Sequence, residues 1–299
     1  MSELQKANEL KLSRRQTVLS LVIVCIALLV VGVWAGWTKI YENPSRVFWD
    51  GVANDLATVG VTRHITDSNS QGKLDEYVQI GLGGGGDVAV AYTDLTQGGS
   101  LVSTKTISTP SADYTEYTVI KAKANNNQAI PLRINNVVGV WGKSANTTAS
   151  PQSTHLLNQA ILGTIPTAYI PETERENLMS LAHKALNPDL AHVTTTVVDG
   201  QRSDIYNVTL LASSYARFMQ QFSLDAGLGN PASFNPSNYS DNTKYTLSMA
   251  VNPISHQIVE INYGANHIEY YSGYGLPLTV ELPTKTIPTS ELQQRVTQL

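Results

Sequence analysis

Residues 81–86 read GLGGGG and match the G-x-G-x-x-G pattern of dinucleotide-binding loops. Such a loop binds a pyrophosphate when a helix follows, because the helix N-terminus then directs its N–H groups at the phosphates. The residues that follow here, 87–92 (DVAVAY), alternate as a strand does, and no P-loop lysine is present. The sequence therefore predicts a flexible hairpin connection at 81–86, with no cofactor.

The histidines and the cysteine do not form a recognisable catalytic or metal centre. No H-x-x-x-H or H-E-x-x-H motif is present, although a metal site built from distant histidines stays open. The single cysteine, Cys25, lies in an apolar run, and no G-x-S-x-G motif occurs. We therefore expect a non-enzymatic protein without catalytic, cofactor-binding or metal-binding residues. The histidines are His64, His155, His183, His192, His256 and His267.

Tyrosines cluster near the C-terminus, at Tyr263, Tyr270, Tyr271 and Tyr274. Exposed tyrosines suit recognition, because they offer a large contact area at a low entropy cost. Tyrosines that alternate on adjacent strands are also ordinary cross-strand packing. The sequence leaves both roles open.

Composition excludes one class of partner and indicates the fold class. The formal net charge is −4, which argues against nucleic acid binding. Threonine, valine and tyrosine are abundant, which favours strands.

The longest apolar run is Thr17–Trp37, which holds 21 residues and no charge. As a helix it would be roughly 32 Å long, enough to cross a hydrocarbon core of about 30 Å. We therefore expect an uncleaved signal-anchor and single-pass transmembrane helix at 17–38 that contacts the lipid bilayer. Lys6, Lys11, Arg14 and Arg15 precede the run and indicate an N-terminus inside the cell. Residues 1–16 would then be a cytoplasmic tail and 39–299 an exported domain at the cell membrane.

Residues 39–299 show both the alternating pattern of strands and the helical spacing of apolar residues, which together predict an α+β domain. Alternation dominates and predicts an antiparallel sheet. The predicted strands are 61–67, 74–82, 87–95, 100–108, 112–123, 192–200, 204–212, 243–252, 257–264, 267–275 and 278–283. Helical spacing predicts helices at 45–58, 154–162, 171–186 and 213–224, with a polar or helical tail after them.

This order of elements resembles the LolA/LppX-type lipoprotein-binding and lipid-binding proteins of bacterial envelopes. The local likeness lies in the hairpin 249–261 (MAVNPISHQIVEI) and in the closing stretch 274–283 (YGLPLTVELP). The resemblance implies a curved antiparallel sheet, an incomplete barrel, packed on a few helices with an apolar cavity between them. This chain has an apolar segment where those proteins have a lipid anchor or are soluble, and no motif residue marks a ligand.

We therefore expect a non-enzymatic, extracytoplasmic binding module for lipid or another apolar ligand, held between the sheet and the helices at 171–186 and 213–224. The alternative is an envelope structural or protein-interaction domain that uses its sheet surface. The candidate contact residues are Leu178, Leu181, Phe218, Phe222, Tyr263, Tyr270 and Tyr271.

Overall fold

A computed structural model describes residues 26–33, 36–70, 72–83, 86–124, 128–146, 155–229, 232–264 and 266–299. The chain divides into two compact units, Met1–Val47 and Phe48–Leu299. In the first unit, residues 26–33 are helical and Trp37–Tyr41 form one turn of π-helix. The Trp37 ring stacks on Tyr41, and its Nε1 donates to the Glu42 carboxylate at 2.8 Å.

The expectation of a transmembrane helix at 17–38 is corrected here. None of the helices in the described ranges is long and apolar enough to cross a membrane. Residues 17–25 of the predicted helix lie outside the described residues. The same finding contradicts the signal-anchor, the single-pass topology and the membrane localisation that were predicted from that segment.

The second unit is a mixed α+β structure built on a 14-stranded sheet. The expected antiparallel sheet is present, and its spatial order is β14-β7-β5-β4-β3-β2-β1-β13-β12-β11-β10-β8, with β6 beside β5 and β9 beside β10. The one parallel pair in the described part of the sheet joins β14 to β7. The strands are β1 (Gly60–Ser68), β2 (Gly72–Gly81), β3 (Val88–Gln97), β4 (Ser100–Ser108), β5 (Ala112–Lys123), β6 (Ala129–Ile130), β7 (Trp141–Ala145), β8 (Leu186–Pro188), β9 (Thr194–Val198), β10 (Gln201–Leu211), β11 (Lys244–Asn252), β12 (Gln257–Asn262), β13 (His267–Ser272) and β14 (Ile287–Pro288).

The helical residues of the second unit cover one face of its sheet, which we call the helix face. Their bounds are α1 (Pro44–Asp55), α2 (Leu156–Ile161), α3 (Glu172–Ala185), α4 (Ala212–Asp225) and α5 (Thr289–Thr297), and short 3₁₀ turns lie at Ile134–Asn136, Ala232–Phe234 and Pro236–Asn238. The apolar positions of α1 recur at helical spacing and the pattern continues to Leu56, just after the helix ends, so Phe48, Val52 and Leu56 have no exposed surface. Phe48 lies against Tyr206 of β10, with ring centroids 5.2 Å apart.

The opposite face of the sheet, the outer face, has its own apolar cluster. Val88, Val90, Ile107, Ala112 and Tyr114 are buried there. Part of their cover comes from an extended segment, residues 276–283, which we call the strap. Its Leu278 and Val280 pack on the cluster together with Trp141. The sequence predicted a strand at 278–283, and this was wrong, because the strap crosses the sheet without joining its ladder.

Two glycines that face each other across β1 and β2 allow the strap to cross. Gly60 pairs with Gly81 in the register of the two strands. A Cβ atom on Gly60 would lie 2.3 Å from the carbonyl oxygen of Leu276, and one on Gly81 would lie 2.6 Å from Cβ of Leu278. Both distances are too short for any side chain, so glycine is required at this crossing.

Candidate functional site

The helix residues predicted to contact a ligand lie at the packed interface of α3 and α4. Leu178, Phe218 and Phe222 have no exposed surface, and Leu181 is half-buried. A side chain that lined a cavity large enough for water would keep some surface accessible to water. Leu178, Phe218 and Phe222 therefore sit in filled interior. Their contact with a ligand stays a prediction.

The predicted tyrosine cluster is divided between the two faces of the sheet. Successive residues of a strand point in opposite directions, so Tyr270 and Tyr271 of β13 are separated. Tyr271 is buried on the helix face, and its hydroxyl donates to the Glu269 carboxylate. Tyr263 donates to the Thr164 hydroxyl at 2.6 Å. Tyr270 packs on the outer face beside Ala250 and Val259.

An arginine and a glutamate are buried together on the helix face, where β1 pairs with β13. Arg63 and Glu269 are both more than nine-tenths buried, and the guanidinium Nη1 lies 3.9 Å from the carboxylate Oε2. Burial raises the pKa of the Tyr271 hydroxyl, and the charge of Glu269 raises it further. A Cβ atom on Gly163 would lie 2.7 Å from Arg63 Nη1, so a glycine there makes room for the guanidinium. The arrangement ties the loop after α2 to the sheet.

Asp55, the last residue of α1, is the most unusual acid of the described residues. Its side chain is fully buried, and neither carboxyl oxygen has a hydrogen-bond donor at normal distance in the described part of the chain. Burial raises its pKa from 3.8 to about 8, against the smaller lowering effects of Tyr274 and Arg63. The Tyr274 hydroxyl donates its own proton to the Ile258 carbonyl at 2.9 Å. Asp55 is therefore protonated at neutral pH.

Most histidines are paired with a carboxylate instead of with one another. The contacts join His64 to Asp75, His155 to Asp113, His192 to Asp189, His256 to Asp50 and His267 to Asp67, at 2.9 to 3.3 Å. His183 lies over the ring of Trp49, with centroids 3.7 Å apart. Within the described ranges, no three histidine, cysteine or acidic residues come close enough to hold a metal ion.

The glycine-rich connection joins β2 to β3 as an antiparallel hairpin, as the sequence predicted. Gly83 and Gly86 have positive φ angles of 81° and 106°, which glycine adopts without strain. The Asp87 carboxylate accepts a hydrogen bond from the Gly83 N–H at 2.9 Å and fixes the turn. Strand β3 follows the loop, in the place where a pyrophosphate site needs the N-terminus of a helix. Residues 84 and 85 lie outside the described residues.

A half-open groove of about 630 Å³ runs between this glycine hairpin and the strap. Its described lining contains one charged residue, Asp87, and two threonines, Thr109 and Thr279, and is otherwise made of apolar side chains and glycines. Val59 and Leu282 present apolar side chains that are 36% and 45% exposed. The described lining is Val59, Gly81, Leu82, Gly83, Gly86, Asp87, Val88, Thr109, Pro110, Pro277, Leu278, Thr279, Val280 and Leu282.

A row of aromatic side chains crosses the centre of the outer face. Tyr270, His64, Tyr77 and Tyr92 stand opposite one another on four neighbouring strands. The rings of His64 and Tyr77 stack with centroids 3.9 Å apart. Tyr77 and Tyr92 are each about half exposed. Lys105 continues the row, with its Nζ 5.4 Å from the centre of the Tyr92 ring.

The groove could not be recognised from the sequence, because the residues that line it come from segments that are far apart in the chain. Pro277 and Pro283 bracket the strap and were the available signal, because proline is disfavoured within a central strand. The aromatic row was missed for a related reason. Only the strand register brings its members opposite one another, and β13, which carries Tyr270, is far from the other three strands in the sequence.

Comparison of the chain with models of known protein families and with curated protein sequences finds no match.

Proposed function

We propose that this protein is a non-enzymatic binding module that holds an apolar chain, such as the acyl chain of a lipid, in the groove between the glycine hairpin and the strap. The ligand class is the one implied by the resemblance to LolA/LppX-type proteins. The position differs from the one expected from the sequence, which was between the sheet and the helices at 171–186 and 213–224.

The apolar lining of the groove is the observation that supports this proposal. Its volume of about 630 Å³ lies within the range of roughly 300–1,000 Å³ of small-molecule sites. Val59 and Leu282 expose hydrocarbon to water in the empty groove, and covering that hydrocarbon contributes about 25 cal/mol per Å². A charged headgroup would gain little from this lining, so we place the hydrocarbon part of the ligand inside and its polar end at the open side.

Binding of palmitic acid, measured by calorimetry at several temperatures, tests the proposal. Burial of apolar surface predicts a negative heat-capacity change on binding. Val59→Asp and Leu282→Asp should each weaken binding at least tenfold, because a carboxylate in the groove must be desolvated. Both residues are partly exposed already, so the fold should tolerate the change.

Ile130→Asp is the matched control, because Ile130 is 45% exposed, as Leu282 is, and lies on β6 away from the groove. It should bind palmitic acid as the unchanged protein does. No heat of binding from the unchanged protein, or equal weakening by all three variants, would refute the proposal.

A second candidate function is protein interaction through the outer face, and the exposed aromatic row favours it. Tyrosine side chains at a flat surface often dominate binding energy. A photo-crosslinking amino acid placed at Tyr92 should trap a specific partner in cells, whereas the same group at Tyr245, exposed at the end of β11, should not. Equal labelling from both positions would argue against this function.

A further inference from the structure

We propose that β9 is a dimerisation edge, at which the strand pairs with β9 of a second copy of this chain in antiparallel orientation. The proposal is independent of the groove. It depends on how the sheet ends, since an edge strand offers a row of unpaired N–H and C=O groups to any strand that approaches.

β9 has a strand on one side only within the described sheet. Residues Thr194–Val198 pair with β10 through Ile205–Gln201, and β9 has no other strand partner in this part of the chain. Its first four residues are exposed, and Val197 is 68% exposed. The far side of the strand is therefore open to another chain.

The terminal strands β14 and β8 have features that prevent such pairing, and β9 does not. β14 has only two residues, one of them Pro288, and runs directly into α5. β8 has three residues and ends in Pro188. Proline and short length are the usual protections of an edge. β9 reads TTTVV, with five β-branched residues, no charge and no proline, which is the composition that strands favour.

The absence of charge on β9 favours a second copy of the same strand as its partner at this edge. In a two-fold antiparallel pair, each residue meets its symmetry mate or a residue equally far from the axis. A charged strand would then place like charges near each other, which destabilises the pair. With the axis at Thr196, Thr195 of one copy lies opposite Val197 of the other. The exposed side chain of Val197 would be covered by this contact.

The contact is small, so we expect a dimer that dissociates on dilution. Five residues of strand are about 17 Å long. Standard protein interfaces bury roughly 800 Å² on each partner. Sedimentation of the full-length chain over about 1–100 µM should therefore show a mass that rises from monomer to dimer.

A charge swap at the axis tests the register. Thr196→Lys places two lysines directly opposite, and Thr196→Glu places two glutamates there, so each variant alone should dimerise at least tenfold more weakly. An equimolar mixture of the two should recover the dimer, because the opposite charges then pair. Thr96→Lys is the control, since Thr96 is also exposed but lies on β3, where it is paired with β2 on one side and β4 on the other.

The recovery in the mixture distinguishes edge pairing from association through any other surface and from misfolding of a single variant. A chain that stays monomeric at the highest concentration would overturn the proposal. So would a dimer that Thr196→Lys leaves unchanged, or one that the mixture fails to restore after both variants weaken it.

Discussion

Replacing Asp55 with asparagine should remove a pH dependence from the stability of this protein. In the folded protein the pKa of Asp55 is raised to about 8 by burial, whereas the unfolded chain should show the ordinary value of 3.8. Between these two pH values the unfolded chain releases a proton that the folded protein retains. The stabilising effect of this proton is complete below about pH 4 and is lost as the pH rises towards 8.

The size of the effect follows from the width of that pH window. Each pH unit contributes about 1.4 kcal/mol to the free energy of unfolding, so about 3 units, from pH 5 to pH 8, correspond to about 4 kcal/mol. An asparagine side chain cannot ionise, so the variant should lack this loss. The buried amide has a desolvation cost of its own, but that cost does not change with pH.

Urea denaturation of the unchanged protein and of Asp55→Asn, at intervals from pH 5 to pH 8, measures the difference. The unfolding free energy of Asp55→Asn, relative to that of the unchanged protein, should rise by about 4 kcal/mol between pH 5 and pH 8. Asp94→Asn, an exposed change on β3, should leave the unchanged protein's pH profile intact. Parallel profiles for the unchanged protein and Asp55→Asn would refute the conclusion that the buried carboxyl holds its proton.

Two further substitutions test the packing of the strap and of the buried charges. Gly81→Ala should destabilise the protein by about 1–3 kcal/mol, since its Cβ atom would lie 2.6 Å from that of Leu278. Leu278→Gly should relieve part of that cost in the double variant, and additive losses in thermal denaturation would contradict this. Tyr271→Phe should cost about 1–3 kcal/mol because it removes the hydroxyl donor to the buried Glu269, whereas Tyr92→Phe at the exposed row should cost little in the same assay.

The sequence predicted the regular elements well where the pattern was local. The strand predicted at 100–108 is observed at Ser100–Ser108, and the one at 112–123 at Ala112–Lys123. Alternation and turn residues define such strands without help from the rest of the chain. The helix predicted at 213–224 is observed at Ala212–Asp225 for the same reason, since its aromatic residues recur on one side.

The features that involve distant segments could not be predicted. The apolar run at 278–283 resembles a strand locally, but it crosses the outer face, where Gly60 and Gly81 leave space for it. No local pattern in the sequence marks Asp55 as buried, and only the packing around it shows that it is. Leu178 and Phe222 lie in filled interior, which periodicity could not show, because it indicates which side of a helix is apolar and not what packs against that side.

The pairing of β1 with β13 has a consequence for how this chain folds. The strands β1 to β5 and β11 to β13 are two meanders whose neighbours are joined by short loops, and β10 joins β11 through α4. The seam between them joins residues such as Asp67 and His267, which are 200 positions apart. Closing so long a loop is entropically costly and slow. We expect the two meanders to form first and the seam last, so that slowing synthesis of the C-terminal third would leave β1 exposed as a temporary edge prone to aggregation.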